Sequence, residues 1–237
     1  MVPEIIGGVA VLGAAAGVYA YGARAPQSQL FGPAFCGRPG ASKQLALTYD
    51  DGPNDPHTGR LLDVLDKHGA KATFFLIGRY TQQHPEIARA VAARGHVVGN
   101  HTWSHPDLMF TSRGTLEREL KQTEDALTQA VGAHSNLFRP PFGGRRPVTL
   151  KVARALGLEP IMWSVTCWDW SATSAGSIVK KAVKGIRGGD VILLHDGGHK
   201  QFGADRSHTV AATDELLRRY RGEGFEFVTI PQMQTSS

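Results

Sequence analysis

The sequence predicts an α/β fold built around a parallel sheet. Seven short apolar segments have the composition of strands, and each is separated from the next by a helical segment or a long crossover. The strand candidates are Leu45–Tyr49, Ala72–Ile77, His96–Asn100, Asn136–Arg139, Pro160–Val165, Asp190–His195 and Phe225–Ile230. This alternation is typical of a parallel sheet, and it fits both an open doubly wound sheet and a closed or partly closed barrel.

Helical segments lie between these strands, and most of them stop at a glycine. The candidates are Arg60–His68, Glu86–Arg94, Leu116–Val131, Val148–Leu156 and Thr209–Tyr220. A glycine directly follows each of the first four, which is a common way for a helix to end. No internal repeat and no second domain is visible, so we expect a single domain.

Composition restricts the class of protein and of partner. The chain has 237 residues, of which 41% are hydrophobic and 20% charged, as in a globular protein. The net charge of +5 suits an acidic partner such as nucleic acid, anionic lipid or an anionic cell-wall polymer. The basic residues are scattered and do not alternate with aromatic residues, so we expect adhesion to an acidic surface and no nucleic-acid binding.

The cysteine count excludes two kinds of site. Cys36 and Cys167 are too few for a disulfide scaffold or for a zinc site built from cysteine. They could pair outside the cytoplasm, although two unrelated free thiols are the favoured interpretation. Any metal ligands must therefore come from histidines and carboxylates.

The amino-terminal region has the pattern of a membrane anchor. Residues 5–21 are nearly all apolar, and about 17 residues is the lower limit for crossing a bilayer. A secretory signal ending near Ala23-Arg24-Ala25 and a buried helix of a soluble protein are the alternatives. We expect residues 1–25 to be an anchor or signal segment, 26–42 a Gly-, Pro- and Ser-rich linker, and 43–237 the folded domain. The protein would then be membrane-anchored or exported, at the cell envelope.

The first strand candidate ends in two adjacent carboxylates, Asp50 and Asp51, followed by the turn signal Gly52-Pro53. Successive side chains on a strand point to opposite faces, so the two carboxylates diverge unless the chain twists there. With such a twist, one could ligate a cation while the other handles a proton. The alternative is an ordinary surface turn.

Polar groups follow the ends of five of the predicted strands. In barrels of parallel strands, function gathers at the carboxyl ends of the strands, so these groups are candidate site residues. They are Asp50-Asp51, Asn100-His101 with His105, the segment 139–143, Trp168-Asp169-Trp170, and His195-Asp196-Gly197.

The pair His101 and His105 has the spacing of metal ligands. A spacing of four residues corresponds to about one helical turn, so in a helix both imidazoles would lie on the same side, as in known zinc sites. Together with one carboxylate they make three protein ligands, which is the pattern of a catalytic rather than a structural zinc site. The remaining histidines are interpreted as surface or capping residues: His57, His68, His84, His96, His134, His199 and His208.

Five motifs then resemble a known family. They are Thr48-Tyr-Asp-Asp-Gly-Pro53, His101-Thr-Trp-Ser-His105, Arg139-Pro-Pro-Phe-Gly143, Trp163-Ser-Val with Asp169-Trp170, and Leu193-Leu-His-Asp196. In this order they are similar to the motifs of the polysaccharide deacetylases, the NodB-like domain of carbohydrate esterase family 4. The resemblance covers about residues 43–230 and implies a distorted (β/α)7 barrel. Thr166 departs from it, since many members have Asp at that position.

The resemblance implies a role for each matching residue. Asp51, His101 and His105 would bind a divalent metal, zinc in most members, with cobalt or another divalent ion as alternatives. Asp50 would be the general base that activates water, and Arg139 would keep its carboxylate ionised.

The remaining roles concern the leaving group and the acetyl group. His195 would be the general acid that protonates the departing amine, oriented by Asp169. The backbone N–H of Phe142 would stabilise the oxyanion. Leu193 and Trp170 would line the slot for the acetyl methyl group.

The implied activity is removal of N-acetyl groups from N-acetylglucosamine units of peptidoglycan or a chitin-like glycan, by a monomeric catalytic domain. Such a reaction needs a strong nucleophile at neutral pH and a proton for a poor leaving group. O-deacetylation, for instance of acetylated xylan, is an alternative with the same site. A non-catalytic glycan-binding module is a second alternative, and it predicts that metal or proton-transfer residues are lost.

Overall fold

The computed structural model describes residues 15–236. Its centre is one sheet of short strands: β1 (Gln44–Gly52), β2 (Thr73–Leu76), β3 (Val97–Asn100), β4 (Leu137–Phe138), β5 (Glu159–Pro160), β6 (Val165–Thr166), β7 (Asp190–His195) and β8 (Glu226–Phe227). The strands lie in the order β5-β4-β3-β2-β1-β7-β6, and β8 pairs with the beginning of β1. All pairs between these strands are parallel, as the alternation of elements predicts.

The sheet is curled into a distorted barrel. β5 and β6 form its two edges, yet only residues 161–164 separate them in the chain. The five peptide steps from Pro160 to Val165 span at most about 18 Å. In a flat sheet of seven strands the two edges would lie about 29 Å apart. The edges must therefore approach each other, and the distorted (β/α)7 barrel is confirmed.

The predicted fifth strand is the element that closes this barrel. The sequence indicates one strand over Pro160–Val165, whereas the structure divides it into β5 and β6 with an irregular crossing between them. The predicted last strand, Phe225–Ile230, is likewise shorter. Its strand pairing ends at Phe227, and Ile230 begins a helix capped by Thr229 and Gln232.

Helices flank the sheet in the intervals between strands. A helix over residues 15–24 is α1. It is followed by α2 (His57–Lys67), α3 (Gly78–Gln83), α4 (Pro85–Ala93), α5 (Arg113–Val131), α6 (Pro147–Ala155), α7 (Ala175–Gly185), α8 (Ser207–Gly222) and α9 (Ile230–Thr235). The five predicted helices are present. The sequence analysis missed α3, α7 and α9; α3 and α9 have six residues each, too short for a clear apolar period.

Alternation along β1 decides which side chains face the barrel interior. Leu45, Leu47 and Tyr49 join the apolar cluster that contacts the surrounding helices, while Ala46 joins the cluster inside the barrel. Thr48 and Asp50 share the interior side with Ala46, because side chains two residues apart lie on one face of a strand. The carboxylate of Asp50 is therefore directed to the interior, at the carboxyl end of the barrel.

The amino-terminal residues that the structure describes lie against the barrel. Arg145 donates hydrogen bonds to the carbonyl oxygens of Ala25 (2.7 Å) and Ser28 (2.8 Å), and Phe35 bridges to Ile161. The segment 26–42 thus covers part of the domain surface. Of the expected anchor, residues 5–14 lie outside the described residues and 15–21 belong to α1. Within residues 15–236, no helix has the length and apolar character needed to cross a membrane.

Candidate active site

The two carboxylates at the end of β1 separate into two environments because the strand twists between them. The register of β1 against β2 is irregular between Asp50 and Gly52, and Asp51 has a φ of 71°. This left-handed conformation is costly for a residue with a side chain, by roughly 1–3 kcal/mol. The irregular strand end leaves both residues lining the same cavity.

Asp51 lies beside the two histidines of the metal-ligand prediction. Its Oδ1 is 3.5 Å from His101 Nε2 and 3.2 Å from His105 Nε2. One donor atom from each of the three residues lies within 4.8 Å of the others, and all three side chains are buried. The side chains that spacing and resemblance select are therefore brought together.

The segment that carries these histidines is a loop, not the helical turn that their spacing predicts. Thr102 and His105 both have positive φ, 65° and 60°, which a helix does not allow. The loop is fixed by side chains, since Asn100 Oδ1 accepts from Thr102 N (2.8 Å) and Thr102 Oγ1 accepts from His105 N (3.2 Å). The two imidazoles converge through this loop rather than through helical periodicity.

The protonation of the cluster suits a cation. His101 Nδ1 lies 2.8 Å from the carbonyl oxygen of Arg139, which can only accept, so Nδ1 carries a proton and Nε2 is the nitrogen that faces Asp51. Burial lowers the pKa of His105 to about 3, which keeps the imidazole neutral. Burial opposes ionisation of Asp51, but its interactions with His101 and His199 outweigh that and lower its pKa well below the usual range.

The donor set also leaves a polar atom without a hydrogen bond. Asp51 Oδ1 is buried and has no hydrogen-bond donor among the described residues. A buried carboxylate oxygen of this kind is costly unless something positive satisfies it. A carboxylate and two imidazoles fit a divalent cation such as zinc, and we conclude that Asp51, His101 and His105 form a candidate metal site.

Asp50 is held by an arginine at the end of β4. Arg139 Nη1 donates to Asp50 Oδ1 at 2.8 Å and to Thr48 Oγ1 at 2.7 Å. The other nitrogens of its guanidinium donate to the carbonyl oxygens of Ile161 (3.4 Å) and Met162 (3.2 Å), in the segment that closes the barrel. Arg139 is fully buried, so its position is fixed by these partners. Asp50 Oδ2 lies 3.8 Å from His101 Nε2 and faces the metal site.

His195 is paired with Asp169. Asp169 Oδ1 lies 2.8 Å from His195 Nδ1, while Oδ2 accepts from the backbone N of His195 (2.7 Å) and from Thr209 Oγ1 (2.9 Å). Burial lowers the pKa of His195, but the charge and hydrogen bond of Asp169, with smaller contributions from Asp51 and Asp50, raise it to about 9. The imidazole can therefore carry a proton on Nε2 while Nδ1 is held by Asp169.

These groups surround one cavity of about 580 Å³. Its lining includes the three residues predicted to contact substrate, Phe142, Leu193 and Trp170. Asp50, Asp51, His101, His105 and His195 also line it, while Arg139 and Asp169 stand behind Asp50 and His195. Phe142 has a φ of 56° and its side chain is half exposed at the rim. The ten predicted site residues thus belong to one region of the molecule.

A sequence profile of the polysaccharide deacetylases matches residues 37–161. The chain belongs to the polysaccharide deacetylase family. A chitooligosaccharide deacetylase of Rhizobium leguminosarum bv. trifolii is 36% identical over 196 residues, which cover 80% of this chain and 91% of the relative. Members of this kind are hydrolases that act on N-acetyl amides of polysaccharides.

Two solved structures are similar to this polysaccharide deacetylase. A peptidoglycan N-acetylglucosamine deacetylase superposes with a TM-score of 0.78 at 36% identity, covering 86% of this chain and 93% of the other. A protein of Bacillus anthracis described as a CE4 family pseudoenzyme superposes with a TM-score of 0.77 at 26% identity, covering 84% and 67%. The same fold therefore occurs in a named deacetylase and in a protein described as a pseudoenzyme, so any activity has to be argued from the residues at the site.

Sequence analysis assigned one residue of this site to the surface. His199 lies in the loop after β7 and stacks on His105 with ring centroids 4.5 Å apart. Its Nδ1 is 3.6 Å from Asp51 Oδ2, and the side chain lines the cavity with about a third of its area exposed. Its position two residues after the segment His195-Asp196-Gly197 could have indicated a place at the site. The loop conformation that brings it there cannot be predicted from spacing alone.

Three further residues support the site through contacts that the sequence does not predict. Thr209, on α8, contacts Asp169, and Thr48 lies between Arg139 and the carbonyl oxygen of Ile192, to which its hydroxyl donates at 2.7 Å. Asp196 is buried next to Gly52 and accepts a hydrogen bond from Thr58, and burial raises its pKa to about 7. Thr209 belongs to no motif, and the motifs that contain Thr48 and Asp196 do not indicate these contacts, so only the fold identifies the interactions.

Proposed function

We propose that this polysaccharide deacetylase is metal-dependent and removes N-acetyl groups from N-acetylglucosamine units of peptidoglycan or a chitin-like glycan. The observation that carries the proposal is the position of the Asp51, His101 and His105 cluster between a carboxylate held by Arg139 and an imidazole held by Asp169. The names of the relatives support both glycans as substrates.

Asp51, His101 and His105 would hold the metal through one carboxylate oxygen and two Nε2 atoms. A divalent cation bound there would lower the pKa of a coordinated water toward about 7 and polarise the acetyl carbonyl. Zinc is the proposed ion because two imidazoles and one carboxylate are a zinc-type donor set, with cobalt or another divalent ion as alternatives.

Asp50 would take the proton from the attacking water. Its Oδ1 is occupied by Arg139, so Oδ2 is the oxygen available on the side of the metal site. The hydrogen bond from the guanidinium also fixes the orientation of the carboxylate, which positions Oδ2 for the proton transfer that a general base performs.

His195 would give the proton to the departing amine. Its Nδ1 is held by Asp169, which leaves Nε2 for the cavity side, and the raised pKa keeps the imidazole protonated near neutral pH. The backbone N–H of Phe142 would donate to the carbonyl oxygen as negative charge develops there. Leu193 and Trp170 would contact the acetyl methyl group, since both line the same cavity.

Acetate release and metal content together test the proposal. The substrates are N-acetylglucosamine pentamers, purified peptidoglycan and acetylated xylan, each assayed with and without a chelator. Chelator-sensitive release from the first two supports N-deacetylation, and release from xylan alone would transfer the proposal to O-deacetylation. A matched control is the Asp63→Asn variant, since Asp63 is an exposed acid on α2.

A non-catalytic glycan-binding module is the second candidate, favoured by the likeness to the pseudoenzyme. It predicts glycan binding without acetate release from any of the three substrates. We rank it second because the metal-ligand, base and acid residues of the family are all in place in this sequence.

We also propose that the protein acts at the cell envelope and is attached to a membrane through residues 5–21. The apolar composition of this segment and the basic charge of the chain support the proposal. The test compares sedimentation with membranes for the full chain and for a chain lacking residues 1–14, which retains α1 and the contacts of Arg145. Equal amounts of both in the soluble fraction would contradict it.

A further inference from the structure

Two exposed indoles lie side by side, one lining the catalytic cavity and the other next to it. Trp170 lines the cavity and packs edge-on against His195, with ring centroids 5.2 Å apart. Trp168 is the next ring outward, 5.0 Å from Trp170, and it is 51% exposed. Large aromatic side chains that remain exposed next to a binding cavity mark surfaces that contact a ligand.

The backbone at Trp168 strengthens this interpretation. Trp168 has φ 55° and ψ 35°, a left-handed conformation that Gly or Asn adopts at much lower cost than a bulky residue. The turn is required locally, because the side chain of Asp169, the next residue, must reach His195. Asn or Gly would adopt this turn at lower cost, and about half of the Trp168 surface remains exposed.

The neighbours of Trp168 leave its ring accessible. The aromatic and cationic neighbours of the ring among the described residues are Trp170 and the ammonium of Lys181, which lies 5.9 Å from the ring centroid on an exposed side chain. A lysine side chain can move away from a ring face without disturbing the fold. The planes of the two indoles are inclined at 44°, so one flat sugar ring cannot stack on both.

We propose that Trp168 is a stacking platform for the sugar unit adjacent to the one being deacetylated. A pyranose ring carries C–H groups on its faces, and these suit the negative face of an indole. The proposal rests on the proposed function, because it assumes a glycan in the cavity with its acetyl group next to Trp170. It makes Trp168 a determinant of chain-length preference that does not touch the reacting atoms.

The test compares substrates of one to five N-acetylglucosamine units. The main variant is Trp168→Asn, because Asn tolerates the left-handed conformation and removes the ring. For the pentamer, KM is expected to rise about tenfold, which corresponds to the loss of one aromatic contact of moderate strength. The value of kcat is expected to change less than about twofold. For the monomer, kcat/KM is expected to be unchanged.

Two further variants separate stacking from a structural role. Trp168→Phe keeps a smaller ring and is expected to give an intermediate KM for the pentamer. Phe110→Ala is the matched control, since Phe110 is an 87% exposed aromatic residue that does not line the cavity. A structural role would instead lower kcat for every chain length and shift the pH profile, through displacement of Asp169 from His195. That result, or an unchanged chain-length dependence in Trp168→Asn, would overturn the inference.

A binding measurement keeps this inference distinguishable from the proposed function. If the wild type releases no acetate, the proposed function fails, yet calorimetric titration with the pentamer still compares Kd between the wild type and Trp168→Asn. A Kd about tenfold weaker in the variant supports the platform, and an equal Kd contradicts it.

Discussion

Asp50 and His195 are partners in the register of two adjacent parallel strands, β1 and β7. Side chains of register partners lie on the same face of a sheet, so both residues are directed into the barrel at its carboxyl end. A slip of one residue in this pairing would move His195 to the opposite face. The register that buries the apolar residues of β1 therefore also sets the distance between the proposed base and the proposed acid.

Substitutions of the two adjacent aspartates are expected to affect different properties, turnover for Asp50 and metal binding for Asp51. Asp50→Asn should lower kcat by about 10²–10⁴-fold, the usual contribution of a general base, while the bound metal is retained. Asp51→Asn should lose the metal, because an amide is a weaker ligand than a carboxylate. Metal analysis of both purified variants alongside acetate release measures this. Loss of metal in Asp50→Asn alone would mean that the two roles are reversed.

The ion pair of Asp50 and Arg139 is expected to be important for folding stability. Arg139→Met leaves the Asp50 carboxylate buried without its partner, and breaking a buried pair in this way costs about 3–5 kcal/mol. Asp50→Asn combined with Arg139→Met should cost less than the sum of the single changes, because no carboxylate is left unpaired. Urea unfolding of the wild type, both single variants and the double variant gives the coupling free energy.

The contradicting outcome of that cycle is additivity. If the two substitutions add within about 0.5 kcal/mol, the pair is not coupled and Arg139 acts through its other partners. Those partners are Thr48 and the carbonyl oxygens of Ile161 and Met162, which close the barrel. Arg139→Lys is a useful comparison, since it keeps the charge but cannot donate to all of them at once.

The parts of the fold that follow from local patterns could be predicted from the sequence. Residues of β1 and β7 are apolar runs between clear turn signals, and their positions agree with prediction. The division of Pro160–Val165 into β5 and β6 was not predictable, because it results from curling of the whole sheet. The position of His199 was not predictable either, because a loop of irregular conformation brings it to Asp51.

The site residues were predictable in identity but not in geometry. The sequence places His101 and His105 four residues apart, and that spacing predicts a helix, whereas Thr102 and His105 adopt positive φ. Such conformations cost energy locally and are maintained by tertiary contacts, so propensity rules do not indicate them. The motif resemblance selects residues that lie around one cavity, because it does not depend on the local conformation.

Metal binding is expected to stabilise the folded protein. The candidate ligands come from β1 and from the loop after β3, so the intact site exists only in the folded chain. Zinc at a free concentration about 1,000 times its Kd should add about 4 kcal/mol to the free energy of unfolding. For a domain of this size, the increase in Tm is roughly 10 °C. Calorimetry of the chelated and zinc-loaded protein measures it.

Two variants determine where that stabilisation originates. His105→Ala should remove most of the zinc-dependent increase in Tm, since it deletes one of the three proposed ligands. His199→Ala should reduce it only slightly, because His199 Nδ1 faces Asp51 Oδ2 and not the oxygen shared with the two histidines. A larger loss in His199→Ala than in His105→Ala would require a different ligand set.

The pairing of His195 with Asp169 is expected to make both stability and activity depend on pH. The folded-state pKa of His195, about 9, lies above its ordinary value of 6.5. Its protonation therefore stabilises the fold fully below pH 6.5, and this contribution is lost as the pH rises toward 9. Asp169→Asn removes the main cause of the raised pKa. The test compares the free energy of unfolding of the metal-free wild type and of metal-free Asp169→Asn. The difference between the two proteins should decrease between pH 6.5 and 9. The decrease should be part of the roughly 3 kcal/mol that such a pKa shift represents.

The pH dependence of kcat is a second test of the pairing between His195 and Asp169. A general acid must be protonated, so kcat should fall as the pH rises through the pKa of His195, and Asp169→Asn should move this fall to lower pH. His195→Ala should slow hydrolysis of an N-acetyl amide more than that of an activated acetyl ester, because the ester's leaving group needs no proton. Equal losses for the two substrates, with an unchanged pH profile in Asp169→Asn, would show that His195 acts by positioning substrate and not as the acid.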